Sequence, residues 1–312
     1  MRILFCGTPQ FAVPTLEHLR SQPDFEIAAV ITQPDRPRGR GQQLSFSPIK
    51  QAALAANLKI FQPEKIRTAE SESFLRNANP DAIVIIAYGQ IIPARLLNIP
   101  RLGWINCHAS LLPKYRGAAP IQWAIANGES STGVTTMRIN AGMDTGDILL
   151  HVQTPIHPAE TTPELATCLA ELGAPLMTET LRGLHDGTLH AVPQDHSQAT
   201  LAPLLKKEDG RIDWSQPAQT IYNRMRGFTP WPGAYTTFRG NTCQLSVLPV
   251  SKETGPDLRA PGAIHSVAGE LLVSCGQKTL LRLVRVKPEG RKEVSAREFA
   301  SGARLQPGEA FA

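Results

Sequence analysis

Asn106 and His108 stand two residues apart at the end of a short apolar run, Gly103-Trp104-Ile105-Asn106-Cys107-His108. Side chains alternate along a strand, so Asn106 and His108 share one face while Cys107 points to the other. The pair offers a neutral amide donor beside an imidazole ring that can donate or accept a proton. A carboxylate follows in Ile139-Asn140-Ala141-Gly142-Met143-Asp144-Thr145-Gly146-Asp147, where two glycines let a loop fold tightly and return to another strand end. Spacing alone leaves Asp144 and Asp147 equally open to service as turn or cap residues, and leaves His108 open to a place on the surface or in the core. Between the two motifs runs Ser110-Leu111-Leu112-Pro113-Lys114-Tyr115-Arg116-Gly117-Ala118-Ala119-Pro120, a shaped loop with Pro113 as a rigid point and Gly117 as a permissive one. It leads into a segment at 121–127.

The elements that must hold these residues follow from the hydrophobic pattern. β-Rich runs at 2–6, 25–32, 58–61, 82–87 and 103–108 alternate with helical-looking segments, which argues for parallel βαβ units. Ala82-Ile83-Val84-Ile85-Ile86-Ala87 is apolar throughout, as a mid-sheet strand covered on both faces should be. In an open α/β sheet, ligands bind outside the C-terminal ends of the strands, where Asn106 and His108 would lie. Gln33 to Gln43 has no periodicity and is rich in Pro, Gly and Arg, and reads as a long, basic, mobile loop. Thr161 and Thr162 both suit the cap of a helix running towards Gly183, with a bend near Gly173-Ala174-Pro175. Beyond Gly210 come one helical pattern at 217–226 and strand-like runs at 234–238, 242–250, 262–265, 270–274 and 279–286. Short strands with such turns predict a small β-barrel, an oligonucleotide-binding (OB) type first. The division predicted is 1–189 as a catalytic domain, 190–208 as a linker and 209–312 as the barrel domain.

Bulk properties narrow the function classes. The chain has 312 residues, enough for two domains, and no apolar run near the roughly 20 residues that span a bilayer. Its N-terminal run lacks the length and cleavage site of a signal peptide, so a cytoplasmic location is predicted. The five cysteines are scattered without C-x-x-C spacing, which points away from a disulfide framework and from zinc, and no His/Cys/carboxylate cluster predicts a metal. Residues 1–189 carry 16 Lys and Arg against 16 Asp and Glu, whereas residues 190–312 carry 16 against 11, so the formal +5 lies in the C-terminal part. A basic module beside a neutral one suits a polyanionic partner, though a well-solvated surface would read the same way.

Four segments then acquire a common meaning: Phe5-Cys6-Gly7-Thr8-Pro9-Gln10-Phe11-Ala12, Thr32-Gln33-Pro34-Asp35-Arg36-Pro37, the Asn106 to Gly117 stretch, and Gly142-Met143-Asp144-Thr145-Gly146-Asp147. In order and spacing the chain resembles the methionyl-tRNA formyltransferase family. N-x-H, S-L-L-P and D-T-G-D are shared by the wider group of enzymes using 10-formyltetrahydrofolate. The acceptor rests on T-Q-P-D-R-P, Gly117-Ala118-Ala119-Pro120-Ile121-Gln122, Arg211-Ile212-Asp213-Trp214 and Trp231-Pro232-Gly233. The resemblance weakens over 250–312.

That resemblance implies an α/β fold: an N-terminal Rossmann-like formyltransferase domain with a largely parallel sheet, and a C-terminal OB-like β-barrel. It implies 10-formyltetrahydrofolate as formyl donor and initiator methionyl-tRNA as acceptor, with no metal and no NAD. The family's catalytic Asn, His and Asp fall on Asn106, His108 and Asp144, and its folate-contacting loop on Ser110, Leu111, Leu112 and Pro113. Arg36, Arg38 and Arg40 on the long loop, with Lys206 and Lys207, become readable as phosphate contacts, and Arg40 matches the family's important arginine at the acceptor stem. A monomer is expected. Three other readings compete. A dinucleotide oxidoreductase is disfavoured because Gly7-Thr8-Pro9-Gln10-Phe11-Ala12 is not G-x-G-x-x-G. A formyltransferase with a small acceptor such as a nucleotide-linked aminosugar leaves the basic barrel unused, and a pure RNA-binding module leaves Asn106, His108 and Asp144 unexplained.

Overall fold

The computed structural model describes the backbone of residues 1–38, 43–250 and 260–312. In chain order the first half runs β1 (Arg2–Gly7), α1 (Val13–Ser21), β2 (Glu26–Ile31), β3 (Arg36–Arg38), β4 (Gln43–Ser45), α2 (Pro48–Ala55), β5 (Ile60–Phe61), α3 (Ala69–Ala78), β6 (Ala82–Ile86), α4 (Ala94–Leu97), β7 (Trp104–His108) and α5 (Pro120–Ala126). There follow β8 (Ser131–Arg138), β9 (Ile148–Pro155), α6 (Thr162–Asp186), α7 (Ala218–Gly227), β10 (Tyr235–Phe238), β11 (Asn241–Pro249), β12 (Ile264–Val267), β13 (Glu270–Ser274), β14 (Leu280–Pro288), β15 (Val294–Ser295) and α8 (Ala296–Ala303). Two compact units result. The first comprises 1–120, 131–155 and 165–203; the second comprises 121–130, 156–164 and 204–312.

The first unit is built on a seven-stranded sheet in the order β5-β2-β1-β6-β7-β8-β9. Pairing is parallel from β5 to β7 and antiparallel through β8 and β9. β6 is the central strand, and all five of its residues are buried, which is why its sequence shows no polar alternation. The run out of β1 goes one way to β2 and the return through β6 goes the other. The C-terminal ends of β1 and β6 therefore flank a topological switch point, the place where such sheets bind ligands. β9 and the antiparallel edge were not signalled by the sequence pattern.

Two expectations for the first unit change. The segment after β2 is not wholly irregular: β3 and β4 pair antiparallel, Arg36 with Ser45, Pro37 with Leu44 and Arg38 with Gln43. Backbone pairing supplies order that the side-chain pattern does not advertise. Arg40 lies outside the described residues. Part of the expected linker is also built into the first unit, because Val192 exchanges backbone hydrogen bonds with Ile148, and Arg116 exchanges them with Thr200 and Ala202.

In the second unit, β10-β11-β14-β13-β12 form an antiparallel sheet, with β15 added to β14. Its inner face packs Trp214, Phe238, Leu245, Val273, Leu281 and Phe299 into one core. The last residues close the sheet into a small barrel. Ile264 N–H donates to Glu309 and Phe311 N–H to Gly262 along one edge strand, while Ala312 and Thr237 exchange both bonds along the other. Closure removes the exposed sheet edges that would otherwise template aggregation.

Candidate active site

β7 carries Asn106 and His108 to the end of the sheet. Asn106 is level with Ile85 of β6 and Met137 of β8, and His108 is level with Thr135. Cys107 between them faces α6, since a Cβ placed on Gly173 would lie 2.8 Å from its Sγ. Strand alternation thus puts both polar side chains on the opposite face. Asn106 is half-buried, and among the described residues no hydrogen bond reaches its side-chain amide. It borders a cavity of ≈ 340 Å³ whose wall includes Gln90, Ile92, Ile139, Met143 and Asp144. A mostly apolar slot with a few convergent polar groups suits a flat heteroaromatic ligand.

His108 is buried, and its Nε2 lies 2.9 Å from the carbonyl oxygen of Tyr115. A carbonyl can only accept, so Nε2 carries a hydrogen there. The other nitrogen, Nδ1, faces Asp144 Oδ2 at 3.7 Å, an ion-pair separation too long for a hydrogen bond. Oδ2 itself accepts the backbone N–H of Gly117 at 2.8 Å. No hydrogen bond to Oδ1 is present among the described residues. One carboxylate oxygen is fixed and the other remains open to a ligand.

The 115–117 loop, which touches both His108 and Asp144, is held from behind. Tyr115 N–H donates to Thr200 Oγ1 at 2.8 Å, Arg116 N–H to the Thr200 carbonyl at 2.9 Å, and Ala202 N–H to the Arg116 carbonyl at 2.7 Å. At Gly117 φ is +122°, and a Cβ would sit 2.6 Å from the Ala202 carbonyl oxygen, so a side chain is excluded there. The buried Arg116 guanidinium donates to Gln194 Oε1 through Nε at 3.0 Å and Nη2 at 2.6 Å, and Nη2 lies 3.0 Å from His196 Nδ1. Gln194 Nε2 in turn donates to the carbonyls of Asp144 at 2.9 Å and Gly146 at 2.7 Å.

The structure thus places Asn106 and Asp144 on one cavity and His108 against Asp144. Ser110 and Leu112 are buried, Leu111 and Pro113 half-buried, and none of the four lines the Asn106 cavity. Ser110 Oγ donates to the Lys114 carbonyl at 2.6 Å, and Thr135 Oγ1 donates to the Ser110 carbonyl at 2.7 Å while accepting from Leu112 N–H at 3.1 Å. These bonds stiffen the loop. Arg36 is exposed and borders a second cavity of ≈ 520 Å³ with Thr8, Gln33, Ser45 and Ser47, and the two cavities share Ala87 and Tyr88 as a wall. Arg38 lies on β3, and Arg40 is not among the described residues. Lys206 and Lys207 are exposed at a 3-10 turn of the second unit. Among the described residues no three His, Cys, Asp or Glu side chains are grouped as a metal would need.

Sequence reasoning gave no role to Arg116, although it lies in the Asn106 to Gly117 stretch, or to Gln194, which lies in no motif, and it missed the Gln90-Ile91-Ile92 wall. The signal available for that wall was an apolar pair directly after a central strand.

Residues 1–181 match the family model described as formyl transferase, and residues 204–304 match that of the formyl transferase C-terminal domain. The methionyl-tRNA formyltransferase of Solibacter usitatus is 56% identical over 99% of this chain and 98% of its own length. That of Koribacter versatilis is 53% identical over 97% and 96%. Among solved structures, an N-formyltransferase from Helicobacter canadensis, in complex with folinic acid and dTDP-3-aminofucose, superposes with a TM-score of 0.67 at 18% identity, covering 90% of this chain and 98% of that one. HypX from Aquifex aeolicus, solved with tetrahydrofolic acid, gives 0.62 at 17% identity, covering 100% of this chain and 50% of its own. At those identities the likeness concerns the fold. With more than half its length matched by the formyl transferase model and relatives above half identical from end to end, the chain belongs to the methionyl-tRNA formyltransferase family.

Proposed function

We propose that this chain is the enzyme that moves the formyl group of 10-formyltetrahydrofolate onto the α-amino group of initiator methionyl-tRNA. The observation carrying the reading is a single cavity edged by an unpaired Asn106 amide and by the open oxygen of Asp144, with His108 behind them. Attack by the amine forms a carbon–nitrogen bond at the formyl carbon and places negative charge on the formyl oxygen. The bond to N10 then breaks, the amine loses a proton, and N10 gains one. Asn106 NH2 donates to the charged oxygen, a preorganised neutral donor of the oxyanion-hole kind. Asp144 Oδ1 accepts the amine proton, directly or through a water. His108, held through Nε2 by Tyr115, presents Nδ1 to Asp144 and fixes the orientation of the ring beside the carboxylate. Relay from His108 to N10 requires release of the Tyr115 carbonyl.

The apolar slot beside Asn106 takes the folate ring, and the Ser110, Leu111, Leu112 and Pro113 loop serves the folate by the wall it stiffens. The acceptor end enters the neighbouring cavity past Arg36, with Arg38, Arg40, Lys206 and Lys207 meeting phosphates. In this reading residues 1–189 act as the catalytic domain, 190–208 as its trailing connection and 209–312 as the RNA-binding barrel. The enzyme works as a cytoplasmic monomer; five free cysteines fit a reducing compartment, and no helix among the described residues is long and apolar enough to cross a membrane. Single-turnover transfer of labelled formyl from 10-formyltetrahydrofolate to initiator methionyl-tRNA tests the whole assignment. Failure of the purified protein to label the tRNA rejects it.

A further inference from the structure

We propose that Gln194, anchored by Arg116, is a positioning residue that holds Asp144 in register for proton transfer; this rests on the reading of Asp144 given above. Asp144 needs such a holder. Its φ is +52°, in the left-handed region that few non-glycine residues adopt, and it sits in a loop with glycines at 142 and 146. The carboxylate's place beside Gly117 and His108 therefore depends on contacts that hold this backbone.

Gln194 supplies such contacts. It is 6% exposed, so its amide cannot be satisfied by bulk water. Its Oε1 takes two N–H groups from the Arg116 guanidinium, which has no acceptor to offer. The amide orientation is thereby settled by chemistry, because the flipped form would set NH2 against a guanidinium and oxygen against two carbonyls. Both hydrogens of Nε2 are then spent on the carbonyls of Asp144 and Gly146. The contacts form a closed ring: Asp144 carboxylate to Gly117 N–H, Gly117 to Arg116 along the chain, Arg116 to Gln194, and Gln194 back to the Asp144 carbonyl. The same 115–117 loop holds His108 through the Tyr115 carbonyl. The ring thus sets the separation between the ring nitrogen and the carboxylate, and it does so from a segment lacking any catalytic motif.

Gln194→Glu isolates the effect. It keeps the side-chain size and the acceptor for Arg116, now charge-assisted, but turns an oxygen towards two carbonyls. The expected result is a fall in single-turnover rate of roughly ten- to a hundredfold, the scale of a small misplacement near the reacting atoms, with KM for both substrates unchanged and the native near-UV circular dichroism spectrum kept at the assay temperature, although the melt moves down as two buried hydrogen bonds are lost. The double variant Gln194→Glu/Asp144→Asn should be no slower than Asp144→Asn alone, because the clamp acts through the carboxylate. A purely structural role would leave the two losses multiplying, and that result overturns the proposal. So does a wild-type rate for Gln194→Glu beside a crippled Asp144→Asn. If Asp144→Asn itself turns over at the wild-type rate, the reading of Asp144 has failed, and the clamp falls with it. Should Gln194→Glu not fold, Gln194→Met, which lacks both donors, passes through the same cycle with the same expected outcomes.

Discussion

Asn106 is the most exposed point of the site to a chemical test. Replacing it with Ala removes a donor that no group among the described residues uses, so the fold should be untouched while the rate of transfer drops by about 10²–10³, the cost of losing one oxyanion donor. Stopped-flow or quenched transfer under single turnover, with folate affinity measured alongside, decides it; an unchanged rate removes Asn106 from the mechanism. A second residue-level test concerns the thiols. Burial pushes Cys107 and Cys275 up to about 12, and raises Cys6 and Cys243 as well, whereas Cys168 is only half-buried. Iodoacetamide at pH 8 should therefore label the native protein at Cys168 alone, read by peptide mass spectrometry. Labelling of Cys107 without unfolding would mean that β7 is far looser than drawn. The asymmetry in what could be foreseen lies in the physics of each residue. Asn106 and His108 were legible together because strand alternation is local. Asp144 required family resemblance, since a Gly-flanked Asp is also a common turn. Gln194 was invisible, because its role depends on a tertiary contact made by a segment without periodicity.

At the level of elements, the parallel core was readable from the apolar runs, with β6 in the middle of the sheet as its unbroken hydrophobicity requires. The β3–β4 hairpin was not, because backbone pairing leaves no mark on a basic, Pro- and Gly-rich sequence. α8 was overlooked although Ser295 and Glu298 form a reciprocal capping box, a signal within reach of sequence reading. The barrel's closure was also hidden, since it depends on four terminal residues with little strand character. That closure makes Phe311 a sensitive probe. It is 3% exposed and lies 5.7 Å from the rings of both Trp214 and Phe238. Phe311→Ala should cost about 3–5 kcal/mol, as large aromatic truncations in a core do, and loosen the tail that joins the two edge strands. Urea unfolding followed by tryptophan fluorescence measures it; a loss under about 1 kcal/mol, the scale of an ordinary surface change, would show that the tail does not close the barrel. In the first unit, Gly117→Ala drives a methyl into the Ala202 carbonyl and should depress both stability and transfer, because the same residue's N–H holds Asp144.

Across the whole molecule, charge is unevenly distributed. The formal excess of +5 resides in residues 190–312, while residues 1–189 balance their charges yet contribute Arg36, Arg38 and Arg40, so salt dependence rather than domain separation distinguishes polyanion recognition from chemistry on the formyl group. Phosphate contacts release counterions, and affinity then falls linearly with the logarithm of salt. If Arg36, Arg38, Arg40, Lys206 and Lys207 each neutralise one phosphate, the logarithmic slope for the tRNA should approach about −4.5, taking roughly 0.9 per contact for a duplex. Folate binding in a mostly apolar slot should hardly respond over the same range. Measuring KM for initiator methionyl-tRNA and for 10-formyltetrahydrofolate between low and moderate salt gives both slopes in one series. Alanine at Lys206 and Lys207 should reduce the tRNA slope by about two and leave the single-turnover rate at saturating tRNA unchanged. A flat tRNA slope in the parent enzyme would sever the basic residues from acceptor binding. A steep slope unmoved by the lysine substitutions would confine the phosphate contacts to other cations.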